Sequence, residues 1–132
     1  MHELMHYQQV HPDNDLLATC MREGTADFVA ELASGHNLNA RSKVYGDAHE
    51  EELWAKFQED TKKNQNQGDW LYNYDKPHPD LGYYMGYKIS QALYQSAQNK
   101  SEALKMIIEM RDPGKILALS GYGKRFSYQE VK

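Results

Sequence analysis

His2-Glu3-Leu4-Met5-His6 places two imidazoles four residues apart with a carboxylate between them. On an α-helix that spacing puts both rings on one face, about 6 Å apart along the axis. Two histidines so placed can bind one zinc ion, and Glu3 is then positioned as general base toward the attacking water. The plainer reading is an amphipathic helix with two surface histidines. A catalytic zinc also needs a third protein ligand and an open position. Glu23 supplies a candidate on the following helix, and Asp27, one turn beyond, is spaced to hold the free ring nitrogen of a ligating histidine. A solvated acidic face running on to Glu31 is the competing reading for these two carboxylates. Gly24 argues against it, because a poor helix former beside Glu23 fits a site of close backbone approach.

Presenting these groups requires helices, and the pattern supplies about six, with no convincing strand. His2–Val10 reads as a helix ended by His11-Pro12-Asp13-Asn14. The second runs from Leu16 to Ser34, capped by Asp13, Asn14 or Asp15 and stopped by Gly35. Leu17, Met21, Phe28 and Leu32 mark its apolar side. A loop through Asn37 and Asn39 leads to Asp47, which is expected to cap a third helix with Glu50 completing a capping box. Leu53, Trp54 and Phe57 point inward there. Lys62 to Gly68 reads as an exposed loop, and Asp69 to Tyr74 as an aromatic turn or short extended piece. Asp80 is expected to cap a fourth helix, Leu81 to about Gln98, with Met85, Ile89, Ala92 and Leu93 apolar. Gly82 and Gly86 on it predict a close helix crossing. Ser101 is expected to cap Glu102–Met110, and Asp112-Pro113 to open a short helix ending at Gly121. The expected fold is mainly α, one packed helical domain over residues 1–132.

Composition narrows the function classes. Ten Tyr, two Trp and three Phe among 132 residues are too many aromatics for a disordered chain. A net charge of −4 with scattered Lys and Arg gives no footprint for nucleic acid. Cys20 stands alone, so no internal disulfide forms, and its place one turn before Glu23 suits a small buried residue better than a nucleophile. No stretch approaches the length of a membrane span. Tyr83 and Tyr87, one turn apart with Tyr94 further along the same side, are candidate donors to the oxyanion of a tetrahedral intermediate, although packing is the commoner fate of such tyrosines. His49 is a weaker candidate, set among Glu50, Glu51 and Glu52.

H-E-x-x-H followed by a helix bearing Glu23-Gly24-Thr25-Ala26 resembles the gluzincins, zinc peptidases whose third ligand is a glutamate. Further segments resemble one group of bacterial predicted zinc-dependent proteases related to the gliding-motility lipoprotein B family. They are Glu23 to Phe28 with Glu31 to Gly35, Tyr45-Gly46, His49-Glu50, Leu53-Trp54, Trp70-Leu71-Tyr72 and Asp80-Leu81-Gly82-Tyr83-Tyr84-Met85-Gly86-Tyr87. The likeness covers His2 to about Tyr94, and the Asp-Leu-Gly-Tyr segment is its more discriminating part. It implies His2, His6 and Glu23 as zinc ligands, Glu3 as base, and Asp27 as the acidic residue that orients the first histidine.

The sixteen residues between His6 and Glu23 require the two helices to cross, or the second to start late. The resemblance also implies a sheet upstream of the motif, with an edge strand for extended peptide. The chain therefore reads as the zincin-like, C-terminal helical part of a longer parent, with an apolar surface left for self-association; the compartment stays open, a periplasmic or membrane-anchored parent being among the alternatives. The expected function is a zinc-dependent peptidase acting on a peptide or protein substrate. The alternative is a non-catalytic helical remnant or interaction domain that retains the family packing, with or without the zinc.

Overall fold

The computed structural model describes residues 15–36, 40–73 and 75–124. These residues form a mainly helical, strand-free arrangement of seven helices: α1 (Leu16–Ser34), α2 (Ala40–Ala48), α3 (Glu50–Lys63), α4 (Gln67–Trp70), α5 (Leu81–Ser96), α6 (Lys100–Glu109) and α7 (Pro113–Ser120). The His2–Val10 helix, and with it His2, Glu3 and His6, lies outside the described residues. Among the described residues no helix is long and apolar enough to cross a membrane.

α1 has the bounds its sequence signals predict. Asp15 Oδ1 accepts from the Ala18 amide at 2.8 Å, and Gly35, at φ 76°, closes the far end with its N–H on the Glu31 carbonyl at 2.7 Å. The helix starts at Leu16 and not later. Its inward face carries Leu16, Cys20, Met21 and Phe28. Phe28 takes the aromatic contacts, with Tyr87 at 5.8 Å and Tyr94 at 5.6 Å between ring centroids. Leu32, expected inward, stays 45% exposed one turn further on.

α1 packs most extensively on α5, and glycines set how closely. A Cβ on Gly24 would overlap the Gly86 backbone, and one on Gly86 would overlap the Cys20 carbonyl. On Gly82 a Cβ would lie 2.7 Å from Cys20 Sγ. The two backbones therefore touch, as Gly24, Gly82 and Gly86 predicted. α5 buries Met85, Ile89, Ala92 and Leu93 as expected, and α6 and α7 cover it with Ile107 and Ile116.

Several element boundaries differ from the sequence reading. Residues 40–48 are helical rather than a loop. Asp47 lies inside α2, and His49, without a side-chain capping bond, occupies the N-cap of α3. The cause is tertiary: Gly46 lies against the Tyr84 ring, where a Cβ would come within 2.5 Å, and Asp47 accepts from the Tyr84 hydroxyl at 2.8 Å. The polar run is no open loop either, since α3 continues to Lys63 and Gln67-Gly68 begin α4. Asn99, not Ser101, caps α6 by accepting from the Glu102 amide at 3.1 Å. α7 opens as predicted, with Asp112 Oδ1 accepting from the Lys115 amide. Beyond it Tyr122 is fully buried, edge-on to Trp54, and donates to Glu50 Oε2 at 2.7 Å.

Candidate functional site

The α1–α5 crossing also gathers carboxylates. Glu23 is half-buried and Asp27 is only 4% exposed, so the solvated-face reading of Asp27 does not hold. Asp80 joins them from the start of α5. It occupies the expected N-cap position without capping: its φ is 64°, in the left-handed region that Asp tolerates, and its side chain makes no bond to the helix. Its amide is tied instead to Asn73 Oδ1 at 3.2 Å, and buried Asn73 donates in turn to the Asp69 carbonyl. Asp80 Oδ1 is buried with no hydrogen-bond partner. Burial, then the Asp27 charge, then the Glu23 charge raise the Asp80 carboxyl above its ordinary range. Orphaned buried acceptors are rare in folded proteins and call for a donor or a cation. Sequence reasoning assigned Asp80 only to capping, and the signal that could have singled it out was its place at the head of the Asp-Leu-Gly-Tyr segment.

The other candidates separate. Cys20 is fully buried, and burial, with Glu23 and Asp15 adding to it, pushes its thiol far up, which removes it as a nucleophile. Tyr87 is buried against Phe28, and Lys43 Nζ lies over its ring at 3.9 Å. Burial raises its hydroxyl, and the bond to Glu31 raises it further. Tyr87 is thus engaged by Glu31, which also pairs with Lys43 at 3.4 Å. Tyr83 is half-buried and packs against the core.

A cleft of about 880 Å³ opens between α2 and the Pro77–Asp80 segment. Val44, Tyr45, Ala48, His49, His78 and Asp80 contribute to its lining. Tyr45 is stacked between two imidazoles: His49 at 4.2 Å and 25°, His78 at 3.7 Å and 13°. His49 is held by its Nδ1, 3.0 Å from the Tyr45 carbonyl, so its ring belongs to this stack rather than to an acidic first-turn face. Nothing in the linear spacing of Tyr45 and His78 marks them as neighbours.

Glu23, Asp27 and Asp80 do not constitute a metal site by themselves: among the described residues no three His, Cys, Asp or Glu side chains are grouped to hold an ion. The Asp27 and Glu23 charges act on Asp80, whose Oδ1 is buried and unpaired. Comparison of the chain with protein-family models, with curated proteins and with solved structures finds no match in any of the three.

Proposed function

We propose that this protein is a zinc-dependent peptidase of the gluzincin kind, with His2, His6 and Glu23 as metal ligands and Glu3 as general base. Bound zinc would polarise the scissile carbonyl and make water acidic enough to be deprotonated near neutral pH. Glu23 brings a negative oxygen ligand from a helix whose position is held by backbone contact with α5. Asp27, buried one turn beyond, is suited to accept the free ring N–H of a histidine ligand and so fix its tautomer. Glu3 takes the proton of the attacking water and returns it to the leaving amine. The observation that carries this reading is Asp80 Oδ1, buried and unpaired at the start of α5 and acted on by the Asp27 and Glu23 charges, in a chain that also holds H-E-x-x-H.

Elemental analysis after zinc loading and buffer exchange tests it. About one zinc per chain is expected, with most affinity lost in His6→Ala. Glu3→Gln should keep the metal and abolish chelator-sensitive cleavage of casein. Absence of stoichiometric zinc would overturn the ligand assignment. Zinc bound without any cleavage would favour the non-catalytic alternative.

A further inference from the structure

We propose that the groove between α1, α3 and α7 is a docking surface for the segment 125–132 of the same chain, with the Phe126 ring as its anchor. The inference is independent of the peptidase reading, and the segment lies outside the described residues. A volume of about 730 Å³ is in the range that seats large side chains, and Leu17, Trp54, Leu117 and Ala118 supply the apolar part of the wall. α7 has only eight residues, too few for a helix to be stable alone in water. One side of it is covered by burial of Ile116, but Leu117 is only half-buried and Ala118 is exposed toward the groove. An occupant of the groove would cover that second side.

The path of the chain favours one occupant. Gly121, at φ 67°, turns the backbone at the end of α7, and the Lys124 amide bonds to the Gly121 carbonyl at 3.0 Å. Gly123 lies against the Trp54 indole, where a Cβ would come within 2.7 Å of Cζ2. Lys124, the last described residue, lines the groove. Phe126 is two residues further on, a reach of about 7 Å. Its ring against Trp54 and the two leucines would remove apolar surface from water and add an aromatic pair. Asp15, the first described residue, lines the groove too, which makes the segment 1–14 the competitor. The part of that segment nearest the groove is His11-Pro12-Asp13-Asn14, polar around one proline, whereas 125–132 brings Phe126, Tyr128 and Val131. Charge points the same way. Lys62, exposed at the lining and without an ion pair among the described residues, offers a cation to Glu130.

The test is NMR on the whole, isotope-labelled chain. Nuclear Overhauser contacts are expected from the Phe126 ring to the Leu17 and Leu117 methyls and to the Trp54 indole. Phe126→Ala should speed amide exchange in α7 by roughly tenfold or more and leave α5 unchanged, while Phe126→Leu should keep most of the protection. Ala118→Glu, at an exposed lining position, should abolish the Phe126 contacts without changing the circular dichroism. Leu119→Ala, on α7 but outside the groove, should leave them intact. No contact from Phe126 to the groove, or unchanged α7 exchange in Phe126→Ala, would overturn the proposal. Contacts from Val10 or Pro12 to the same methyls in place of Phe126 would give the groove to the segment 1–14. Intermolecular contacts in a mixture of labelled and unlabelled chains would give it to a second copy. Either result also overturns it.

Discussion

Asp80 is held where its own helix makes poor use of it. A left-handed N-cap residue whose carboxylate neither caps nor pairs carries backbone strain, desolvation and the repulsion of two neighbouring carboxylates. Such costs persist at sites whose purpose is something other than stability. Asp80→Asn removes the charge and supplies an N–H. It should raise the thermal midpoint of the metal-free protein at neutral pH while weakening zinc binding; a lowered midpoint in chelator would show that Asp80 has a stabilising partner instead. Asp27 is the complementary case, a buried acid at ligand-orienting spacing from Glu23. Asp27→Asn should lower zinc affinity roughly 10- to 100-fold with little change in fold, measured by chelator competition.

At the scale of elements, the glycines let α1 and α5 touch backbone to backbone. Gly86→Ala must displace the Cys20 carbonyl, and Gly24→Ala the Gly86 backbone, so neither clash is relieved by turning a side chain. Each should cost about 3 kcal/mol in urea denaturation. Gly68, in α4 with open space around it, is the control. Gly68→Ala should be neutral or stabilising by about 0.5 kcal/mol. A second hinge of the fold is polar. Asp60, 2% exposed on α3, accepts from Lys56 Nζ at 2.7 Å, Trp70 Nε1 at 2.9 Å, Asn66 Nδ2 at 3.0 Å and Gln65 Nε2 at 3.2 Å. One carboxylate thereby folds the Asn64–Gln67 turn back and seats Trp70 against Phe57, ring centroids 5.1 Å apart. Asn64 completes the junction by accepting the Leu16 amide at 2.9 Å, tying the end of α3 to the start of α1.

For the whole molecule Asp60 sets an acid limit. Burial alone would raise its carboxyl, but the bonds from Lys56, Trp70, Asn66 and Gln65 outweigh that and hold it down at about 2. A carboxyl lower in the folded than in the unfolded chain contributes stability above the unfolded value. That contribution is lost as pH falls from about 4 toward 2. The loss should be on the order of 2 kcal/mol. Denaturant midpoints measured across that range should fall in the parent and much less steeply in Asp60→Asn, which is weaker at neutral pH. Parallel slopes for the two proteins would remove Asp60 as the acid-sensitive group.

Signals that act within about one helical turn were legible in the chain. Asp15 and Gly35 bound α1 because a cap bonds to amides or carbonyls three or four residues away, and Asp112-Pro113 opens α7 for the same reason. The shared face of Glu23 and Asp27 follows from helix geometry, and the three glycines announced a close approach without naming both partners. α2 was hidden because Asp47 read as the cap of the helix after it, with a loop before it. Only Tyr84, 37 residues from Asp47, makes Gly46 a packing site and Asp47 a hydrogen-bond acceptor. Lys62 to Gly68 looked like solvated loop because its amides pair with Asp60 only after the chain has turned back on α3. The joining of Asp80 to Glu23 and Asp27, and of His78 to Tyr45, depends on which helices cross and how closely. Crossing geometry is set by the fit of whole faces, a property that no local run of residues contains.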